Sequence, residues 1–402
     1  MTVEGTAADT RRVERAKVAV GAAFALNGFL FASWIARVPA ARDQLGLSEA
    51  QLGLLLLCMS VGSVLSLPAS GPVVHRFAPG RSALTAGVLA VTGLLVLSAG
   101  LATASSPLAG LGLFLGGAGI GVWDVSMNVE GADVERRLGR AIMPRFHAGF
   151  SLGTVAGALV GAAAAAVGVS LAGQLVVTGL LVLAALAVVT RSFLPVVEPE
   201  EGGSKRRSGV GRAWQERRTL LIGLLVLAFA FAEGSANDWA ALALVDGYGV
   251  SGAVAAVGFG VFVASMTVAR VVGTALLDRF GRVPVLRATA VSAVLGVLLF
   301  VFAPSVPLAL TGAVLWGIGA ALGFPVGMSA AADEPDRAAA RVSVVSSIGY
   351  TAFLAGPPLI GFLAEAAGIL RALLVVLGMM VVSVLAVGAA RPPAAARPEE
   401  VS

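Results

Sequence analysis

Residues 220–243 read LLIGLLVLAFAFAEGSANDWAALA. As a helix rising about 1.5 Å per residue the run is about 36 Å long, enough to cross the roughly 30 Å hydrocarbon core of a bilayer. Comparable runs recur along the chain, near 18–36, 50–68, 83–102, 108–129, 148–167 and 171–190, and then near 220–243, 253–272, 288–302, 308–331, 344–363 and 373–389. Twelve spans follow, six before and six after the polar stretch around residues 192–218. Composition agrees. With 57% hydrophobic and 13% charged residues, and a mean hydropathy of +0.92, 402 residues carry more apolar surface than a soluble domain could bury. An all-α integral membrane protein is expected, with twelve transmembrane helices in two six-helix bundles.

The first span follows Arg11, Arg12, Arg15 and Lys17 in the manner of a signal peptide, but its run is too long and eleven more follow. Cys58 is the single cysteine and lies inside the second span, which leaves neither a disulfide framework nor a thiolate metal site. The pI near 10.3 could suggest nucleic acid. The basic residues, however, sit at loop ends, not on one face, so no nucleic-acid partner is expected. They report topology instead. With a cytoplasmic N-terminus, only Arg37, Arg42 and Arg371 of the 28 Lys and Arg fall outside. Both termini are then cytoplasmic and the protein belongs in the cell inner membrane. The expected organisation is a tail over 1–17, a bundle over 18–191, a cytoplasmic linker over 192–218, a second bundle over 219–390 and a tail over 391–402.

Paired halves predict internal echoes. Arg145 stands eight residues before Gly153, and Arg341 eight before Gly349. Gly117 and Gly119 in the fourth span match Gly317 and Gly319 in the tenth, and Asn27-Gly28 matches Glu233-Gly234. The loop after the second span reads Gly71-Pro-Val-Val-His75-Arg76, with Arg81 following; the loop after the eighth reads Asp278-Arg279-Phe280-Gly281-Arg282. In these two loops the chain resembles the major facilitator superfamily, whose signature is a Gly, an acid–Arg pair and then Gly-Arg. The second copy matches closely, whereas His75 replaces the acid in the first. An acid beside arginines at helix ends can lock neighbouring helices through charge-assisted hydrogen bonds that break as the bundles rock.

Carboxylates inside the membrane cost about 2.5–3.5 kcal/mol each on insertion scales and so usually have a partner or a task. Asp124 and Asn128 are four apart in the fourth span, as are Glu233 and Asn237 in the seventh, so each pair shares a helix face. Two readings stand. In one, these faces line a central cavity where carboxylates and amides bind a polar solute, Trp34, Trp123 and Trp239 stack on it, Asn27 joins them, and Asp124 and Glu233 exchange protons during the cycle. In the other, the acids are interhelical glue. Asp238, nearer the outer end of its span, suits a gate. Arg145 and His147 mark the inner end of the fifth span, and Gly149, Gly153, Gly157 and Gly161 recur there every fourth residue, which lets a neighbouring helix approach closely. Pro325 predicts a kink in the tenth span, where Phe324 holds the place that Asp124 has in the first half.

Around Asp124 and Asn128 the chain is similar to the fucose-permease-like branch of that superfamily. The Glu233-Gly234 and Asp238-Trp239 pattern and the run from Arg140 to Gly153 look most like the group around the rhizopine-transport membrane protein. The resemblance implies a monomeric secondary transporter working by alternating access on a small polar, sugar- or cyclitol-like solute, as a proton symporter with Asp124 as its coupling acid. Fucose permeases also carry an acid in the first helix, where this sequence offers Asn27. A proton-driven exporter of drugs or metabolites, and a transport-inactive sensor on the same fold, are the alternatives. With two histidines and no paired His or metal-ligand cluster, the chain reads as no enzyme and implies no metal or cofactor.

Overall fold

The computed structural model describes residues 7–138, 142–194 and 210–392; the tail and linker expectations at 1–6, 195–209 and 393–402 lie outside these residues. Among the described residues, twelve apolar helices are long enough to cross a membrane. They are Thr10–Ile35, Glu49–Val74, Pro79–Ala102, Ser106–Leu138, Arg145–Ala166 and Leu171–Ser192, then Arg217–Tyr248, Gly252–Phe280, Arg282–Phe302, Val306–Ala331, Ala340–Ala367 and Ile369–Ala390. In lipid no water can pair with exposed peptide groups, so each crossing segment closes its own hydrogen bonds as a helix. Several helices outrun their apolar stretches: the fourth continues to Leu138 rather than 129, and the second passes through Pro68 and Pro72 to Phe77. Hydropathy sees only the part that meets hydrocarbon, while the helix continues beyond it.

The glycine echoes become matched contacts. A methyl at Gly119 would lie 2.3 Å from the Ala90 nitrogen of the third span, and one at Gly319 would lie 2.3 Å from the Ala293 nitrogen of the ninth. Gly117 faces the Met59 carbonyl of the second span just as Gly317 faces the Phe262 carbonyl of the eighth. The fifth span's glycine row turns to the first span, where a methyl at Gly153 would lie 1.9 Å from the Ala25 carbonyl oxygen. Backbones therefore touch along seams inside each half.

The halves meet along the second and eleventh spans and along the fifth and eighth. Among the described residues, the close approaches at glycine between halves lie at one end, away from the termini. There a methyl at Gly53 would meet the Pro357 carbonyl at 2.5 Å, one at Gly361 the Glu49 carbonyl at 2.6 Å, and one at Gly260 the Ala158 side chain at 3.6 Å. Among the described residues the polar links between halves, Arg42 with Asp246 and Ser48 with Glu365, also lie at this far end. At the end holding the termini, ion pairs stay within a half. Asp333 accepts from Arg218 at 2.7 Å and from Arg282 at 2.8 Å, Arg341 donates to Glu216 at 2.5 Å, and Glu135 accepts from the backbone of Ile142 and Met143 at 2.7 Å each. The gap between halves is thus closed at the far end and open at the end holding the termini.

Two outcomes follow from this packing. Gly153→Val is expected to destabilise the purified protein by about 3 kcal/mol through overpacking, seen as a lowered Tm in detergent, whereas Gly378→Ala, with open space around it, leaves Tm unchanged. The second concerns Glu216. Burial pushes its carboxyl up, but hydrogen bonds from Arg341 and Thr219 outweigh that and hold it below its ordinary value of 4.5. A depressed carboxyl stabilises above its unfolded pKa and loses that contribution as pH falls through the folded one. The Tm gap between the wild type and Glu216→Gln should therefore narrow below about pH 4.5; a gap independent of pH would contradict the assignment.

Candidate functional site

The fourth span is buried on one side against the second and third spans and exposed on two others. Leu111 and Val129 are exposed about 140° around the helix from Asp124, on the lipid side. Asp124 is itself exposed although it lies near the middle of its helix, so it opens on the gap between the halves. The Asn128 amide donates to the Asp124 carbonyl at 2.9 Å and to its carboxylate at 3.3 Å. No described cation pairs with Asp124. Across the gap its charge reaches Tyr350 of the eleventh span. The Tyr350 ring centroid lies 6.5 Å from that of Phe324 and 6.4 Å from that of Phe353, which gives the second half an aromatic wall opposite the acid–amide face of the first.

Glu233 is paired. Arg270, from the interior of the eighth span, donates through Nη2 to both carboxylate oxygens, at 2.9 and 3.1 Å, and through Nε to the Ala321 carbonyl at 3.1 Å. That carbonyl lacks its helical donor because residue 325 is proline. The tenth span breaks there, one helix ending at Ala320 and the next starting at Gly323, so the expected kink is present and Arg270 repairs it. From the other half His147, exposed and stacked edge-on against Phe24 at 5.0 Å, stands within range of the Arg270 charge. Asp124, Asn128, Tyr350, Glu233, Arg270 and His147 thus border the same gap.

Other expectations need correcting. Trp34, Trp123 and Trp239 are 1%, 0% and 0% exposed and Asn27 is 1% exposed, so all four pack within the bundles in this state and none presents a surface on which a solute could stack. The sequence shows an amphipathic residue beside an acid but not which way the helix turns it: Trp123 points at Gly87 of the third span, away from Asp124. Asn237 and Asp238 are partly exposed and have no described hydrogen-bond partner. The contact between halves near the outer end of this span is made eight positions after Asp238, by Asp246, which binds Arg42 of the other half bidentately, with one contact at 2.9 Å. Arg270 and Tyr350 went unread. Arg270 is the only charged residue between Asp246 and Asp278, a usable signal for the first; nothing in the pattern marked the second.

Comparison with known proteins decides the family. The Major Facilitator Superfamily matches residues 19–264 and 223–402. The chain belongs to it. An uncharacterized transporter of Sinorhizobium fredii is 34% identical over 351 residues, 87% of this chain and 91% of that one. The membrane protein MosC of Rhizobium meliloti is 28% identical over 365 residues, 90% and 87% of the two chains. Among solved structures, nucleoside transporter NupG superposes with a TM-score of 0.75 at 16% identity, covering 93% of this chain and 98% of that one. The fucose transporter FucP in its outward conformation gives 0.64 at 16% identity, over 93% and 98%. The protein is a multi-pass membrane transporter of this superfamily, not an enzyme.

The superfamily's loop signature is only half engaged here. Arg76 lies over the Phe77 ring at 5.6 Å and Arg279 over the Phe280 ring at 5.1 Å, at matching places in the two halves. Arg81, Asp278 and Arg145 are exposed, and Asp278 makes no ion pair among the described residues. Arg282 pairs with Asp333, not with Asp278. Arg145 and Arg341 share a register but not an environment, since Arg341 is buried against Glu216 and Glu334.

The far-end gate is measurable. A depression of about 500 Å³ lies above it, lined by Arg42, Glu49, Asp246 and Arg371. In a Cys58→Ser background, Ala50→Cys places a thiol under Gly361. Asp246→Asn should raise its rate of labelling by an impermeant maleimide up to about fivefold, the scale of a partly exposed ion pair. An unchanged rate would show that Arg42 and Asp246 do not hold the gate.

Proposed function

We propose that this transporter moves a small polar, sugar- or cyclitol-like solute across the cell inner membrane by alternating access, coupled to protons through Asp124, as a monomer with both termini and the linker cytoplasmic. On that topology the present state faces inward. The observation that supports the reading is the placement of Asp124: a carboxylate mid-membrane, open to the gap, bonded to an amide and paired with no described cation. Such a group can take a proton from one side and release it on the other without first breaking an ion pair. Glu233, its charge matched by Arg270, is better suited to binding than to carrying the proton.

Asn128, Asn237 and the carboxylates offer hydrogen bonds to hydroxyls. Tyr350, Phe324 and Phe353 offer an apolar face for a ring. That same wall favours the rival reading, proton-driven export of amphipathic compounds, and direction of movement separates the two. In proteoliposomes, Asp124→Asn should abolish accumulation driven by a pH gradient while solute exchange at equal concentrations persists, weakened only by the hydrogen bond that the carboxylate supplied. Accumulation that persists in the variant, or that never depended on the gradient, would remove Asp124 from the coupling role.

A further inference from the structure

Arg270 is held on two of its three edges. Nη2 is taken by Glu233 and Nε by the Ala321 carbonyl that Pro325 leaves without a donor. The third edge, Nη1, has no described partner and is not among the fully buried unpaired side-chain atoms, and the arginine side chain is 32% exposed. It looks into the gap: the exposed Val268 and Val272 lie on the opposite face of the eighth span, about 160° around the helix on either side. A guanidinium pinned in this way has lost its rotamer freedom before any ligand arrives, which lowers the cost of binding at the remaining edge. On the fifth span, which packs against the eighth, His147 is exposed, has no described hydrogen-bond partner and lies within range of the Arg270 charge. The two belong to different halves, and both are open nitrogen donors.

From this arrangement we infer that Arg270 Nη1 and His147 form a carboxylate-reading subsite, and that the transported solute bears one acidic group on a polar ring, as in a sugar acid. The inference rests on the polar-solute reading above and narrows it. A carboxylate suits the site for three reasons. One edge of a guanidinium and one imidazole supply about as many donors as a single carboxylate accepts. Glu233 already offsets the Arg270 charge, so the open edge offers hydrogen bonds to a singly charged group but no excess charge for a phosphate. A group that bridges the fifth and eighth spans also binds both halves at once, which ties recognition of the acid to closure of the open end. The hydroxyls of such a solute fall to Asn128 and Asp124, and its ring to Tyr350 and its aromatic neighbours.

Three probes that share one skeleton and differ in charge test this: glucuronate, glucose and glucosamine, by thermal shift of the purified full-length protein and by exchange in proteoliposomes. Glucuronate should stabilise most. His147→Gln, at a position that makes no described hydrogen bond, should weaken glucuronate binding about tenfold, the scale of one hydrogen bond to a charged group, and leave any glucose binding unchanged. Arg270→Lys should do the same; because it also withdraws the donor from Ala321, it is made both alone and with Pro325→Ala, which returns a backbone N–H to that carbonyl. A preference for glucose or glucosamine, or a preference for glucuronate that survives both variants, overturns the acid subsite and leaves the polar-solute reading standing. Stabilisation by none of the three overturns both.

Discussion

Contact between backbones at glycine is the constraint on which the molecule depends. Lipid offers helices no hydrophobic reason to associate, so packing distance and polar links must hold each bundle together. Along the first and fifth spans, the third and fourth, and the ninth and tenth, glycines bring main chains so close that even a methyl group would collide with backbone atoms. Interiors of this density do not deform by degrees. Each half is therefore stiff, and any change in how the halves sit would fall on the surfaces between them. Those surfaces are different in kind: a few glycine contacts and two polar links at one end, and open water at the other.

The polar site is correspondingly asymmetric. The first half presents a carboxylate with an amide beside it. The second presents an aromatic wall and an internally matched acid–arginine pair. Duplication supplied two similar scaffolds, and the chemistry placed on them has diverged, so that Phe324 and its ring neighbours face the acid of the other half. A solute between them would meet hydrogen-bonding groups on one side and a ring-stacking surface on the other, and its orientation would be set by that difference.

Most of the fold was legible because it depends on period and length. Twelve apolar runs, a polar divide at the midpoint, and Gly117 and Gly119 repeated as Gly317 and Gly319 were enough to foresee paired bundles and even which seams match. Site residues were legible in type but not in direction. Asp124 with Asn128 shares a face by spacing alone, and that face does open on the gap. The tryptophans look equally suited to a cavity, yet a residue one position from Asp124 is turned about 100° away, and in a bundle this is the difference between water and packed helix. Arg270 with Ala321, and Arg42 with Asp246, are separated by 51 and 204 residues. No local pattern encodes such pairings.

The separation of seams from cavity has an evolutionary side. Substitutions at Gly119, Gly153 or Gly319 strike main chain, whereas Asp124 and Tyr350 border the gap and can be exchanged with less effect on a seam. A lineage built on this scaffold can alter its cargo while its architecture stays fixed. Solved relatives at only 16% identity still superpose over 93% of the chain, the outcome expected when selection on packing and selection on cargo act on different residues.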